Sequence, residues 1–212
     1  NSQARAFWQG AAMPLYFVLA ALLTGTALLI ITYGNLNQNA HPSAGEKDRF
    51  LPLLGRILLG ILGVLIFYKF WFYNNSLYGH YPGTSKAALS LLKGPLAWQF
   101  WGLEILIGLV LPVALLANIK KFSSNRGVLA AVFALIGMYF AHNNLVVAGQ
   151  IVPLQVVADG SLDYIHYSPL LAEWSIIIGT IGALIYFSIL IENRLFKSEP
   201  IGLSASLDTK VN

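Results

Sequence analysis

Ionisable side chains are scarce in this chain, so those that fall within apolar runs stand out. Of 212 residues, 57% are apolar and 10% are Asp, Glu, Lys or Arg. Arg56, Lys69, Glu104, His142, Glu173 and Glu192 lie inside or at the edges of long stretches of Leu, Ile, Val, Phe and Ala. A charge at mid-membrane depth costs on the order of 3 kcal/mol or more, so such residues usually face a protein interior or a water-lined path. The chemistry open to them is proton transfer, ion conduction or recognition of a polar ligand head. Glu104, His142 and Glu173 are the candidates for proton transfer. Trp101, Asn144, Gln150 and Lys69 are the candidates for contact with a ligand or a proton path. A carboxyl at the depth of Glu104 needs a proton or a cation, and His142 and Lys69 are the cations within reach of the same membrane half. Structural readings stand beside these. A lone Glu can be protonated and hydrogen-bonded, Lys69 can extend towards the interface, and His142 can bond a backbone carbonyl. Arg56 and Glu192 lie near span ends and can do the same as Lys69.

Other chemistries lack their residues. There is no cysteine, hence no disulfide and no iron–sulfur cluster bound by this chain. A bis-histidine haem needs a second intramembrane His, and His41, His80 and His166 fall in loops. No spacing suits zinc or a metal pair, so neither metal nor haem is expected here. Phosphate loops, Ser–His–Asp arrangements and dinucleotide-binding glycines are absent from the sequence. An ordinary soluble domain carries about 25% charged residues. The low charge excludes a water-soluble enzyme, a disordered tail and a nucleic-acid binder. The net charge of +4 is small.

The elements that position these groups are membrane helices. Five apolar stretches are long enough to cross a bilayer: 13–33, 51–73, 98–118, 128–152 and 170–192. Lipid offers backbone amides no partner, and the alternating strands of a barrel are missing, so the fold class is an all-α polytopic bundle over 1–192 with a tail over 193–212. The first stretch is too long for a signal peptide and no cleavage site follows it. The chain opens on Asn1, which suggests processing or a piece of something longer. Pro14, Pro52, Pro95 and Pro169 are placed near helix starts, and Pro112 should kink the third span. Trp8, Trp71, Tyr73, Trp98, Trp101 and Trp174 suit an interfacial belt. Glycines at 55, 60 and 63, at 102 and 108, and at 179 and 182 suggest close helix contacts.

With five spans, one side holds Lys47, Arg49, Lys120, Lys121, Arg126, Arg194, Lys197 and Lys210. The other holds Arg5, Lys86 and Lys93 with Asp159 and Asp163. The basic side, with the C-terminus, should be cytoplasmic. The buried polar groups then gather in the outer half of the bundle. Ser161→Cys is therefore expected to react with an impermeant thiol reagent applied to intact cells. Reaction only after lysis would reverse the topology.

Helical phase groups Glu104 with Gly108, and with Trp101 below them, on one face of the third span. His142 and Gly149 share a face of the fourth, with Gln150 some way round. Asn144 points away from His142, towards a different neighbour. Glu173 and Thr180 share a face of the fifth.

Four segments together resemble the NrfD/PsrC family of membrane subunits, found in polysulfide reductase and related complexes, in group 1 hydrogenases and in alternative complex III. They are Phe7, Trp8, Met13, Pro14 and Leu15 with Ala20, Ala21 and Gly25; Trp101, Glu104, Gly108 and Pro112; Asn144, Val147, Gly149, Gln150 and Pro153; and Tyr167, Ser168, Pro169, Glu173 and Gly179. The likeness covers nearly the whole chain but corresponds to the C-terminal half of a family member. Many members have Arg where this chain has His142, which would make a role there pH-tunable.

The resemblance implies an integral subunit exchanging electrons and protons between the quinone pool, menaquinone or ubiquinone, and an extramembrane iron–sulfur partner of ferredoxin type. It also implies catalytic or cytochrome subunits of the same complex, an N-terminal transmembrane bundle, and the prokaryotic inner membrane. A transporter subunit and a purely structural membrane anchor are the alternatives. A quinone subunit should carry a flat apolar cleft opening to lipid near the polar cluster. A transporter should carry a cavity or broken helices at mid-depth. An anchor should satisfy every buried carboxyl and carry no cleft.

Overall fold

The computed structural model describes residues 6–8, 13–35, 44–79, 82–117, 123–152 and 170–195. The chain divides into two compact units, 1–166 and 167–212. In the first, a 3-10 turn (Ala6–Trp8) precedes α1 (Met13–Asn35), α2 (Ala44–Tyr78), α3 (Pro82–Leu92), α4 (Gln99–Ala117) and α5 (Ser124–Ile151). Among the described residues, four helical segments are long and apolar enough to cross a membrane: Met13–Gly34, Phe50–Tyr78, Gln99–Ala117 and Ser124–Ile151. The fold is an all-α polytopic bundle with no strand among those residues.

The bundle closes around α5, whose inward positions are small. Ala130, Ala131, Ala134 and Ala141 meet Leu23 and Ile30 of α1, Leu58, Leu62 and Leu65 of α2, and Leu116 of α4. Small residues let helix axes approach where lipid supplies no hydrophobic drive and packing contacts must hold helices together. The outward faces stay apolar, with Leu15, Phe17, Leu22, Phe67 and Phe70 exposed. A helix apolar on every side belongs in a large core or a membrane, and these helices keep their outward faces uncovered by protein. Thr24, Thr26 and Thr32 donate their hydroxyls back to carbonyls of their own helix, which removes polar groups from contact with lipid.

Some local expectations change. Pro52 lies inside α2, which starts at Ala44, so it is not at a helix start. Pro14 is the second residue of α1, where a missing N–H costs little. The helix α3 was not among the expected elements. At 11 residues it is too short to span. It buries Ala87, Ala88 and Leu91 against Phe7, Phe100 and Ile151, in a second cluster at one end of the bundle. Trp8 is stapled over the same end, its indole donating to Leu145 O at 3.0 Å and filling the space a Cβ on Gly149 would need.

The second unit contains α6 (Leu171–Leu195), apolar over Leu171–Leu184. Its first turn is closed by Glu173, whose carboxylate accepts the Leu170 N–H at 3.2 Å, half of a capping box. The loop of Asp159, Ser161 and Asp163, the loop histidines, residues 118–122 and the chain beyond Leu195 lie outside the described residues.

Candidate functional site

The helix α4 is irregular where it matters. From Gln99 to Val110 it is π-helical, then α-helical from Leu111 to Ala117. The Leu111 N–H reaches back to Leu106 O, a five-residue step. Pro112 follows directly, without an N–H to give the Gly108 carbonyl. A π turn holds more residues than the 3.6 of an α-helix, which changes which residues share a face. Buried residues recur here at four: Phe100, Glu104, Gly108. Trp101, Ile105 and Val110 line a different side. Glu104 and Gly108 therefore share a face as expected, while Trp101 does not join them. Trp101 is 53% exposed against 2% for Glu104, and its indole donates to Leu92 O at the end of α3, at 3.1 Å.

Glu104 is held from two sides. Lys69 Nζ of α2 donates to Oε1 at 2.5 Å. Asn144 Nδ2 of α5 donates to Oε2 at 2.6 Å. The carboxylate, the ammonium and the amide are all buried. Charge-assisted bonds are the strong kind, and the cost of the charges in a dry interior is met only when both ions are paired. Helix packing fixes the distance between two of the partners. Gly108 and Gly137 meet backbone to backbone, and a Cβ on either would run into the other's Cα. Glu104 lies one turn from that crossing on α4 and Asn144 two turns from it on α5. Asn144 Oδ1 is buried with no hydrogen-bond partner among the described residues.

Lys69 is the cation that reaches Glu104; His142 is not. His142 Nδ1 lies 2.9 Å from Met138 O of its own helix. Its ring sits against Tyr16 and Phe17 of α1, with centroids at 5.5 and 6.0 Å. Tyr16 joins the two groups. Its ring lies 5.4 Å from Lys69 Nζ, a cation–π distance, stacks on Tyr68 at 5.8 Å, and its hydroxyl donates to Met138 Sδ at 3.8 Å. Tyr16 was not among the candidates. A Tyr three residues into an apolar run carries no mark in the sequence that separates it from belt or core aromatics. Gln150 is exposed near the end of α5, outside this set. Glu173 belongs to the second unit.

Lys69 also borders three cavities. Two are small: one lies beside Tyr16, Tyr68 and Tyr73, the other beside Glu104, Gly108 and Gly137. The third is an apolar cleft of about 400 Å³ between α2 and α4. Its α2 wall contains Ile66, Lys69 and Tyr73, and its α4 wall Phe100, Trp101 and Ile105. That volume lies in the range of sites for drug-sized ligands, about 300–1,000 Å³.

The pairing is testable by itself. Lys69→Met leaves a buried carboxylate without its cation, and breaking such a pair costs about 3–5 kcal/mol. The yield and thermal midpoint of folded protein in mild detergent are expected to fall, and adding Glu104→Gln is expected to restore part of the loss. Equal values for the single and double variants would mean that the two side chains are not coupled.

Comparison with known proteins agrees with the membrane architecture. The family model described as "Polysulphide reductase, NrfD" matches residues 2–154. The chain is similar to a selenate reductase subunit of Mesobacillus selenatarsenatis, 27% identical over 197 residues. That alignment covers 89% of this chain and 44% of the relative, so the chain spans less than half of the relative's length.

Proposed function

The chain belongs to the NrfD family of multi-pass membrane proteins, and on that premise we propose that it serves a membrane-bound reductase complex as a quinone-linked subunit. In this reading it passes protons, and a partner chain passes electrons. The similar protein belongs to a selenate reductase by name, which supports membership of a multi-subunit redox complex. The observation that carries the proton role is the ion pair of Lys69 and Glu104, buried in an otherwise apolar bundle and bordered by a cleft. A quinol bound beside it would supply electrons and protons together.

Each residue then has a task. Glu104, as a carboxylate, can accept a proton, and on doing so gives up its ion pair with Lys69. Lys69 holds the empty carboxylate in place and keeps its charge compensated. Asn144 fixes the carboxylate's orientation. Tyr16 turns its ring face towards Lys69 and lies 5.5 Å from the His142 ring, centroid to centroid, which places a titratable group of α5 beside the ring that covers Lys69. Electrons need a separate carrier, for which an iron–sulfur subunit of ferredoxin type is the partner we propose, in a prokaryotic inner membrane with the C-terminus cytoplasmic.

A structural anchor is the second reading. Both oxygens of Glu104 are paired, as an anchor requires, but an anchor has no use for the cleft. Purification of the intact complex separates the two. The proposal expects a co-purifying chain with ferredoxin-type cysteine clusters and quinol-dependent electron transfer through the complex. A complex lacking both would leave the anchor.

A further inference from the structure

We propose that the small cavity beside Tyr16, Tyr68 and Tyr73 is a binding site for a single water molecule, held by the Lys69 ammonium. The site does not depend on the quinone-linked reading, since a structural anchor would need it equally.

Size narrows the occupant. The room for a water's centre is about 20 Å³ in this cavity and about 10 Å³ in the one beside Glu104, Gly108 and Gly137. A water needs about 10–15 Å³ counted in this way. The tyrosine cavity therefore holds one water, and the glycine cavity lies at the lower limit. A ring or a headgroup is too large for either.

The walls supply the partners. A bound water takes two to four polar contacts. Tyr16 of α1 and Tyr68, Lys69 and Tyr73 of α2 all line the tyrosine cavity, which Ala141 and Leu145 of α5 close. The glycine cavity meets Lys69 and Glu104 and adds no other polar side chain. Those two are already bonded to each other.

The demand of Lys69 decides the chemistry. Its side chain is buried, and an ammonium has three donors and no acceptor. Glu104 Oε1 takes one donor. The Tyr16 ring, 5.4 Å from Nζ, faces the charge but is no conventional acceptor. A buried donor left without an acceptor is costly, more so when it is charged. The occupant must then be small, accept from Nζ and donate onward. An anion is not called for, because Glu104 already balances the charge, and a cation would meet Nζ at close range. Water meets each condition. Its hydrogens, turned away from Lys69, can go to a tyrosine hydroxyl of the wall, which accepts as well as donates. Lys69 and Tyr73 also line the cleft. They form the partition between the two spaces, so Nζ is hydrated without water entering the cleft.

The test is a density map of the intact complex in lipid nanodiscs, at a resolution that shows ordered water. One isolated peak is expected in the cavity, about 2.7–3.2 Å from Lys69 Nζ. An empty cavity, or density continuous with a lipid chain, would overturn the site. The double variant Lys69→Met with Glu104→Gln removes the charged donor and leaves no unpaired charge, so the peak should be lost from it. A peak kept there would show that Lys69 does not hold the water. Hydroxyl-radical footprinting reads the same site in solution, because a bound water yields radicals beside residues that bulk water does not reach. Met13 lines the cavity, Met138 does not, and both are buried. Met13 is expected to oxidise several-fold faster than Met138 in the parent, with the difference lost in the double variant. Equal rates in the parent would count against the site as an empty cavity does. Neither measurement uses quinol turnover, so a dry cavity would leave the proposed function standing.

Discussion

Glu104→Gln is expected to leave the complex assembled and to lower quinol turnover at least about tenfold, a barrier increase of roughly 1.4 kcal/mol or more. Assembly should survive, at a cost in stability from the lost counter-charge, because hydrogen bonding can be rearranged and Lys69 keeps the ring face of Tyr16 beside it. The Gln carbonyl takes the donor of Lys69, as Oε1 does now. The Gln NH2 then faces Asn144, whose Oδ1 has no partner among the described residues and is available after a half-turn of the amide. Turnover should fall because Gln cannot ionise. A structural role predicts the reverse, with turnover kept in Gln and assembly lost only in Glu104→Leu. Complex yield and quinol turnover, measured for both variants, decide. Unchanged turnover in Gln would end the proton role of this residue.

A second effect on assembly is expected at the glycine crossing. Gly108→Ala and Gly137→Ala each set a methyl against the opposing backbone, and backbone cannot rotate out of the way as a side chain can. Overpacking of a tight contact costs about 1–3 kcal/mol. The thermal midpoint and yield of the extracted complex should fall in both variants. Gly60→Ala and Gly63→Ala on α2 meet nothing within 4 Å and should stay near the parent value. Parent-like behaviour of Gly108→Ala would show that α4 and α5 can separate at little cost.

The class of fold was legible because a membrane demands long apolar runs: five were read in the sequence, and among the described residues four are helices long and apolar enough to cross. Glu104 and Lys69 were legible for the converse reason, as costly residues in those runs. Asn144 was expected to face a neighbour other than His142, and phase alone could say that because α5 is a regular helix. Phase failed for Trp101 because it assumes 3.6 residues per turn, and no residue between Gln99 and Val110 announces a π-helix. The choice of Lys69 over His142 as the partner of Glu104 depends on which helices adjoin α4, a long-range fact that periodicity does not carry. The helix α3 escaped notice because Gly83, Thr84, Ser85 and Lys86 read as loop, and two of the residues it packs into the core, Ala87 and Ala88, are small.

The glycine crossing also makes the two bonds to Glu104 mechanically unequal. Gly108 and Gly137 bring α4 and α5 into backbone contact, so the Asn144 bond sits near the closest approach of the two helices and is expected to be the stiffer one. Lys69 comes from α2, and the cleft separates part of α2 from α4. The Lys69 bond is thus the compliant one. Any force that widens or narrows the cleft is delivered to the ion pair and not to the amide, so the bundle works as a strain gauge whose reading is the charge compensation of a single carboxylate.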